Sequence, residues 1–124
     1  MTVHLDTSAL IDALSGPRRS LDALIELAEQ GHRLSISTIV LYEWLRGPRS
    51  REELVVQEDL FPRSHAVPFG TEQAALAAKL YGGAKRARGR EIDLAIAACA
   101  LQDNATLWTL NRADFRDISD LTLL

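Results

Sequence analysis

The chain has 124 residues, 47% of them hydrophobic and 25% charged, a composition typical of one globular domain. No apolar run approaches the roughly 18 residues that cross a bilayer, and no basic and apolar leader is visible, so we expect neither a membrane anchor nor export. The lone Cys99 excludes an intrachain disulfide and favours a cytoplasmic setting, and a net charge of −3 argues against a purely electrostatic nucleic-acid binder.

The first half of the chain alternates short apolar runs with helical patterns. "VHL" predicts a buried strand that ends at Asp6, and "SALIDAL" predicts a helix that stops at Gly16. "RRSLDALIELAEQG" predicts a second helix ending at Gly31, and "RLSIS" predicts the second strand. "STIVLYEWLRG" then predicts a helix capped by Ser37 or Thr38.

The second half continues the alternation. "SREELVVQEDLF" predicts a helix ended by Pro62, "SHAVPF" a third strand, and the alanine-rich segment from Thr71 to about Arg88 a long helix. After a short basic loop, "EIDLAIAACALQDN" predicts a helix, "ATLWTLN" a fourth strand, "RADFRDI" a short helix or turn, and "LTLL" an edge strand. We therefore predict a single α/β domain over residues 1–124, with three α/β/α layers around a parallel sheet of four to five strands.

Acidic and amide side chains stand where these strands end or the following helices begin. Asp6 ends the first strand, Glu43 lies early in the helix after the second, Asp93 lies in a helical first turn, and Asn111 follows the fourth strand. Ligands of such sheets bind outside the carboxyl ends of the strands, at the switch point of strand order. Each residue taken alone also fits a helix cap, a favourable helix-dipole position or a turn.

Three carboxylates that converge need protons, a basic partner or a metal ion, since two of them about 4 Å apart repel by ~4 kcal/mol at an effective dielectric near 20. Mg²⁺ is commonly held by one or two carboxylates together with several waters. Such a site suits the cleavage of phosphodiesters.

Four stretches carry a resemblance that spans most of the chain: "LDTSALIDAL", "STIVLYEWLRG", "EIDLAIAACAL" and "TLWTLNRADF". In their order and spacing the chain resembles PIN-domain ribonucleases, specifically VapC-like toxins of bacterial type II toxin–antitoxin pairs. The resemblance implies a PIN-like fold, with Asp6, Glu43 and Asp93 as the metal-binding acids.

At the position of the family's frequent fourth acid this chain has Asn111, which supplies no charge, and Asp114 follows three residues later. Either residue would be the fourth of the site, and one or two metal ions would bind. The resemblance also implies support of the metal site by Thr7 or Ser8 and by Thr109.

The implied activity is endonucleolytic cleavage of RNA that depends on Mg²⁺ or Mn²⁺. The resemblance further implies a homodimer and a small cognate antitoxin whose tail lies across the active groove. Which RNA is cleaved stays open.

Basic residues adjoin three of the four site segments and are candidates for contact with RNA phosphates. The alternative is that they form a solvated helix end and loop. The candidates are Arg46, Lys85, Arg86, Arg88, Arg90 and Arg112.

Three other functions compete. A phospho-acceptor receiver domain would have two acids after its first strand and a lysine after its last, and a phosphatase with an aspartate nucleophile would have an acid where Ser8 stands. Neither pattern is present. A PIN-like scaffold without catalysis, acting through protein contacts, stays open because of Asn111.

Overall fold

The computed structural model describes residues 1–124 and contains three strands and six α-helices. The strands are β1 (Thr2–Leu5), β2 (Arg33–Ser35) and β3 (Thr106–Trp108). The helices are α1 (Thr7–Leu14), α2 (Leu21–Glu29), α3 (Thr38–Arg46), α4 (Arg51–Leu60), α5 (Thr71–Gly83) and α6 (Glu91–Gln102). Single 3₁₀ turns cover Arg63–His65 and Arg112–Asp114.

The strands form one parallel sheet in the order β2-β1-β3. Val3 of the central strand lies opposite Leu34 on one side and Thr106 on the other. The chain passes from β1 to β2 on one side and then returns to β3 on the other, so the strand order switches at β1. The carboxyl end of β1, where Asp6 stands, is therefore the place at which such sheets bind ligands.

The sheet is smaller than the predicted four to five strands. "SHAVPF" is not a strand: it begins in a 3₁₀ turn, and only Val67 pairs, through one parallel bridge to Ser37. The Val67 amide donates to Ile36 and its carbonyl accepts from Thr38. The next residue is Pro68, which has no N–H to donate and cannot extend a ladder.

"LTLL" is likewise a single bridge rather than an edge strand. Leu123 pairs with Leu107, whose amide donates to Thr122 and whose carbonyl accepts from Leu124. The chain turns just before this point, with Leu121 donating its amide to Ile118. Only one residue pair therefore reaches the side of β3.

Helix boundaries follow local chemistry. Ser37 caps α3 by accepting from the Val40 amide, and Gly31 ends α2 with a φ of 84° in the left-handed region. The predicted helix over 71–88 is shorter than expected, because α5 ends at Gly83. Two successive glycines, Gly82 and Gly83, are poor helix formers and account for the early end.

Helix α6 lies at the centre of the helical packing, against α5, α3 and β3. Seven consecutive residues, Leu94 to Ala100, are buried, including Cys99. From Leu94 to Ala100 the helix is thus covered on all sides. Asp93 precedes this buried stretch and lies in the first turn. None of the helices has the length and apolar character needed to cross a membrane.

Candidate functional site

Asp6 is the residue at the switch point of the sheet. Its amide donates to the carbonyl of Trp108 on the neighbouring strand, and its carboxylate Oδ1 accepts from the Ala9 amide at 3.0 Å, which caps α1. Only 4% of Asp6 is exposed. The capping role suggested by the sequence is therefore present, and it fixes the carboxylate at the carboxyl edge of the sheet.

Two hydroxyl groups complete the surroundings of this carboxylate. Ser8 Oγ donates to Asp6 Oδ1 at 2.6 Å, and Thr109 Oγ1, which follows β3, donates to Asp6 Oδ2 at 2.5 Å. The hydroxyls are themselves oriented, since Ser8 accepts from the Leu110 amide and Thr109 from the Asn111 amide. Both carboxylate oxygens are thus held in defined directions, one by Ser8, which follows β1, and the other by Thr109, which follows β3.

Glu43 reaches the same edge from α3, which packs against α1. Its Oε1 accepts from Thr7 Oγ1 at 2.5 Å, and its Oε2 is 3.3 Å from Arg46 Nη2, one helical turn later. The Glu43 side chain is 17% exposed, whereas that of Arg46 is 58% exposed. Thr7 therefore joins Glu43 to the start of α1, next to Asp6.

Asp93 lies in the first turn of α6 and is the most strongly perturbed acid of the site. Burial, the largest cause, and the negative charges of Asp114, Asp6 and Glu43 together raise its pKa from 3.8 to about 6, while Arg90 opposes them. No hydrogen bond is among the influences on this pKa. Asp93 thus carries a charge that the protein itself does not fully compensate.

The two candidates for the fourth position differ in place. Asn111 is exposed, and its contact with the other site residues is through its backbone amide, which donates to Thr109 Oγ1 at 2.9 Å. Asp114, at the end of the 3₁₀ turn, contributes the largest of the charge effects on the pKa of Asp93. Of the two candidates, Asp114 is therefore the one whose charge acts on Asp93.

The predicted basic residues fall into two groups. Lys85, Arg86 and Arg88 are exposed in the loop before α6, in keeping with either RNA contact or solvation. Arg46 contacts Glu43 and lies 5.3 Å from the ring centre of Tyr42, and Arg112 donates to the carbonyl of Leu124. These two already have partners within the protein.

Arg90 differs from all of these, because it is largely enclosed by an ion pair with Asp117. No sequence motif indicates this pairing, because the two residues are 27 positions apart and no recognisable motif includes Asp117. Asp117 is the residue near the site that sequence reasoning missed.

The site offers oxygen donors of the kind that hard divalent cations prefer. No three acidic, histidine or cysteine side chains are arranged as a complete ligand set for one ion. Mg²⁺ does not need such a set, since one or two carboxylates and several waters are its common ligands. The uncompensated charge on Asp93, beside two oriented carboxylates, fits the binding of a cation.

A family model described as "PIN domain" matches residues 3–121. This match covers all six helices and all of the sheet except Thr2, the first residue of β1. Comparison of the sequence with curated proteins gives no significant match.

Several solved structures are similar over nearly the whole chain. A DNA-bound VapBC complex from Salmonella typhimurium matches with a TM-score of 0.80 at 22% identity, covering 100% of this chain and 97% of the other. VapBC2 from Rickettsia felis, bound to a promoter DNA fragment, gives 0.76 at 24% identity and covers 100% and 98%. A toxin–antitoxin complex from Klebsiella pneumoniae gives 0.73 at 25% identity and covers 97% and 95%.

Proposed function

The chain belongs to the PIN-domain family, and from that membership we propose that it is a metal-dependent endoribonuclease, the toxin of a type II toxin–antitoxin pair. The observation that carries the proposal is the approach of Asp6, Glu43 and Asp93 at the carboxyl edge of the parallel sheet. Thr7, next to Asp6, holds the Glu43 carboxylate, and burial together with the charges of Asp114, Asp6 and Glu43 raises the pKa of Asp93 to about 6, which supports the proposal. The proposed substrate is RNA, and the proposed cofactor is Mg²⁺ or Mn²⁺.

Asp6, Glu43 and Asp93 are the residues that would hold the cation. The chemistry that such an ion supplies when bound is activation of water and neutralisation of charge on a phosphodiester. Thr109, Ser8 and Thr7 hold the Asp6 and Glu43 carboxylates in fixed directions through their hydroxyls. This preorganisation removes the need to order these groups when substrate arrives.

The exposed basic residues of the loop before α6 would attract the RNA substrate. Lys85, Arg86 and Arg88 precede Asp93 closely in sequence and have no carboxylate partner within ion-pair distance. Cations of this kind contact phosphates and orient a strand without reading its bases. They would offset the repulsion between an acidic site and an anionic substrate.

The proposed partners are a cognate antitoxin and a second copy of the chain. The structural neighbours named above are complexes of toxins with antitoxins, which supports the first. For the homodimer, exposed apolar side chains on the second to fourth helices are candidates for the contact. They are Ile25, Tyr42, Leu45, Val55 and Leu60. We place this activity in the cytoplasm, where a free buried thiol such as that of Cys99 stays reduced.

The test is RNA cleavage by the purified, antitoxin-free protein with Mg²⁺, with Mn²⁺ and with EDTA, beside an Asp6→Asn variant. We expect cleavage that requires the cation and is lost in the variant. A second readout needs no substrate: Mn²⁺ should raise the melting temperature of the wild type and not of Asp6→Asn, because a ligand that binds only the folded state stabilises it.

The competing function is a scaffold of the same fold without catalysis. The uncharged Asn111 and the lack of a complete three-residue ligand set favour it. Equal background cleavage by both proteins across several RNA classes, with no thermal shift by Mn²⁺, would establish the scaffold and refute the nuclease.

A further inference from the structure

Arg90 occupies a junction between two parts of the site. Its backbone is the N-cap of α6, and its carbonyl accepts from the Leu94 amide at 2.9 Å, so it is fixed to the helix that carries Asp93. Its side chain points to the segment after β3, the segment that carries Asp114. Arg90 therefore contacts both the start of α6 and the segment after β3.

The contacts of the guanidinium group are extensive. Nη1 donates to Asp117 Oδ2 at 2.9 Å and Nη2 to Asp117 Oδ1 at 2.7 Å, a two-pronged ion pair. Nη2 also donates to the backbone carbonyl of Asp114 at 2.7 Å. The Arg90 side chain is only 17% exposed, which leaves little of it for a phosphate.

We propose that Arg90 is a positioning residue, which with Asp117 clamps the 111–117 segment to the start of α6 and so holds Asp114 beside Asp93. This role replaces the direct RNA contact expected from the sequence. It deepens the proposed function and rests on it for its catalytic consequence, although the clamp itself exists without substrate.

The planar fork of arginine suits this task. Two parallel N–H···O bonds to one carboxylate fix an angle as well as a distance, which a lysine ammonium does not do. The third bond, to the Asp114 carbonyl, fixes the backbone of the 3₁₀ turn directly. Loss of the clamp would free this turn, while the buried Phe115 and Ile118 keep the rest of the segment attached to the core.

The clamp and the phosphate contact predict opposite results for Asp117→Ala. If Arg90 bound RNA, removing its carboxylate partner would release the guanidinium and leave binding unchanged or tighter. If Arg90 positions the segment, the variant should lower kcat by about tenfold with KM within about twofold, since misplaced groups cost turnover rather than binding.

Two further variants complete the design. Arg90→Lys keeps the positive charge and loses the two-pronged pairing, so we expect it to behave like Asp117→Ala. Arg88→Ala is the matched control from the same loop, an exposed arginine two residues away, and we expect it to raise KM.

The readout without substrate is hydrogen–deuterium exchange at residues 114–116, whose amides donate within the 3₁₀ turn. Exchange should be about tenfold faster in Asp117→Ala and Arg90→Lys and unchanged in Arg88→Ala. Unchanged exchange in the first two variants, or an Arg90→Lys variant with wild-type kcat, would overturn the proposal. If the wild type cleaves no RNA, the proposed function fails, and the exchange rates still decide whether the clamp exists.

Discussion

Thr109 does two jobs with one hydroxyl: it donates to the buried Asp6 carboxylate and accepts from the Asn111 amide. We expect Thr109→Val to lower the free energy of unfolding by about 1–3 kcal/mol, because the buried Asp6 Oδ2 and the Asn111 amide both lose their hydrogen-bond partner. Thr109→Ser is the control, since it keeps the hydroxyl, and it should retain most of the stability. Urea unfolding of the two variants measures the difference, and equal stability would mean that Asp6 does not depend on this donor.

Asp93 should make the protein's stability fall as the pH rises. Burial and nearby acids lift its folded pKa from 3.8 to about 6, so the folded state holds the proton more tightly than the unfolded state. The resulting stabilisation is complete below pH 3.8 and is lost as the pH rises through 6. A shift of this size corresponds to about 3 kcal/mol in a dry site, and partial exposure reduces it to about 1 kcal/mol.

Asp93→Asn should therefore be more stable than the wild type by about 1 kcal/mol at pH 8 in EDTA, with the gap closing toward pH 4. Asp117→Asn is the control with the opposite sign, because hydrogen bonds from Arg90 lower the pKa of Asp117. Denaturant unfolding at pH 5 and pH 8 separates them. An Asp93→Asn variant that is less stable at pH 8 would show that this carboxylate has a structural role.

At the scale of the elements, α6 is the most completely buried helix. Ala97 is fully buried there, so Ala97→Leu should overpack the core and lower the free energy of unfolding by about 1–3 kcal/mol. Ala78→Leu, on an exposed position of α5, is the matched control and should change stability by less than about 0.5 kcal/mol. Similar melting temperatures for both variants would mean that α6 has space around it.

The sequence predicted elements well where a single residue controls the backbone. Gly31 ends α2 and Ser37 caps α3, because a left-handed φ and a side-chain cap are local requirements. The prediction was wrong where pairing with a neighbouring strand determines whether a strand forms. "SHAVPF" and "LTLL" have the composition of strands, yet each contributes one bridge. Pro68 limits the first segment to one pair and the turn from Ile118 to Leu121 limits the second, but where each segment meets the sheet depends on the tertiary structure.

The same division holds at the site. The positions of Asp6, Glu43 and Asp93 follow from where strands end and helices begin, so the sequence was enough to predict that they lie at one edge of the sheet. Arg90 and Asp117 meet only because the segment after β3 folds back on α6. A contact of that kind depends on the whole tertiary structure, so the sequence alone does not distinguish Arg90 from the exposed arginines near it.

Across the whole molecule, a net charge of −3 conceals a cationic loop beside an acidic edge. We expect RNA affinity to fall steeply with salt, with a slope of about −0.7 per phosphate contact in a plot of log affinity against log salt. Arg88→Ala should reduce that slope by about 0.7. Arg33→Ala is the control, because Arg33 lies at the amino end of β2, away from the site. Equal slopes for both variants would exclude the loop from the RNA path.

Of the three strands, the central one, β1, is synthesised first and its neighbour β3 is synthesised last. Asp6 and its donor Thr109 are 103 residues apart in the chain. The Asp6 carboxylate therefore lacks one of its hydrogen-bond donors until β3 and Thr109 have left the ribosome. Domains that need such distant pairings fold only when nearly all of their sequence is available. For a proposed ribonuclease this order of assembly has a benefit: the growing chain stays inert until β3 has emerged from the ribosome.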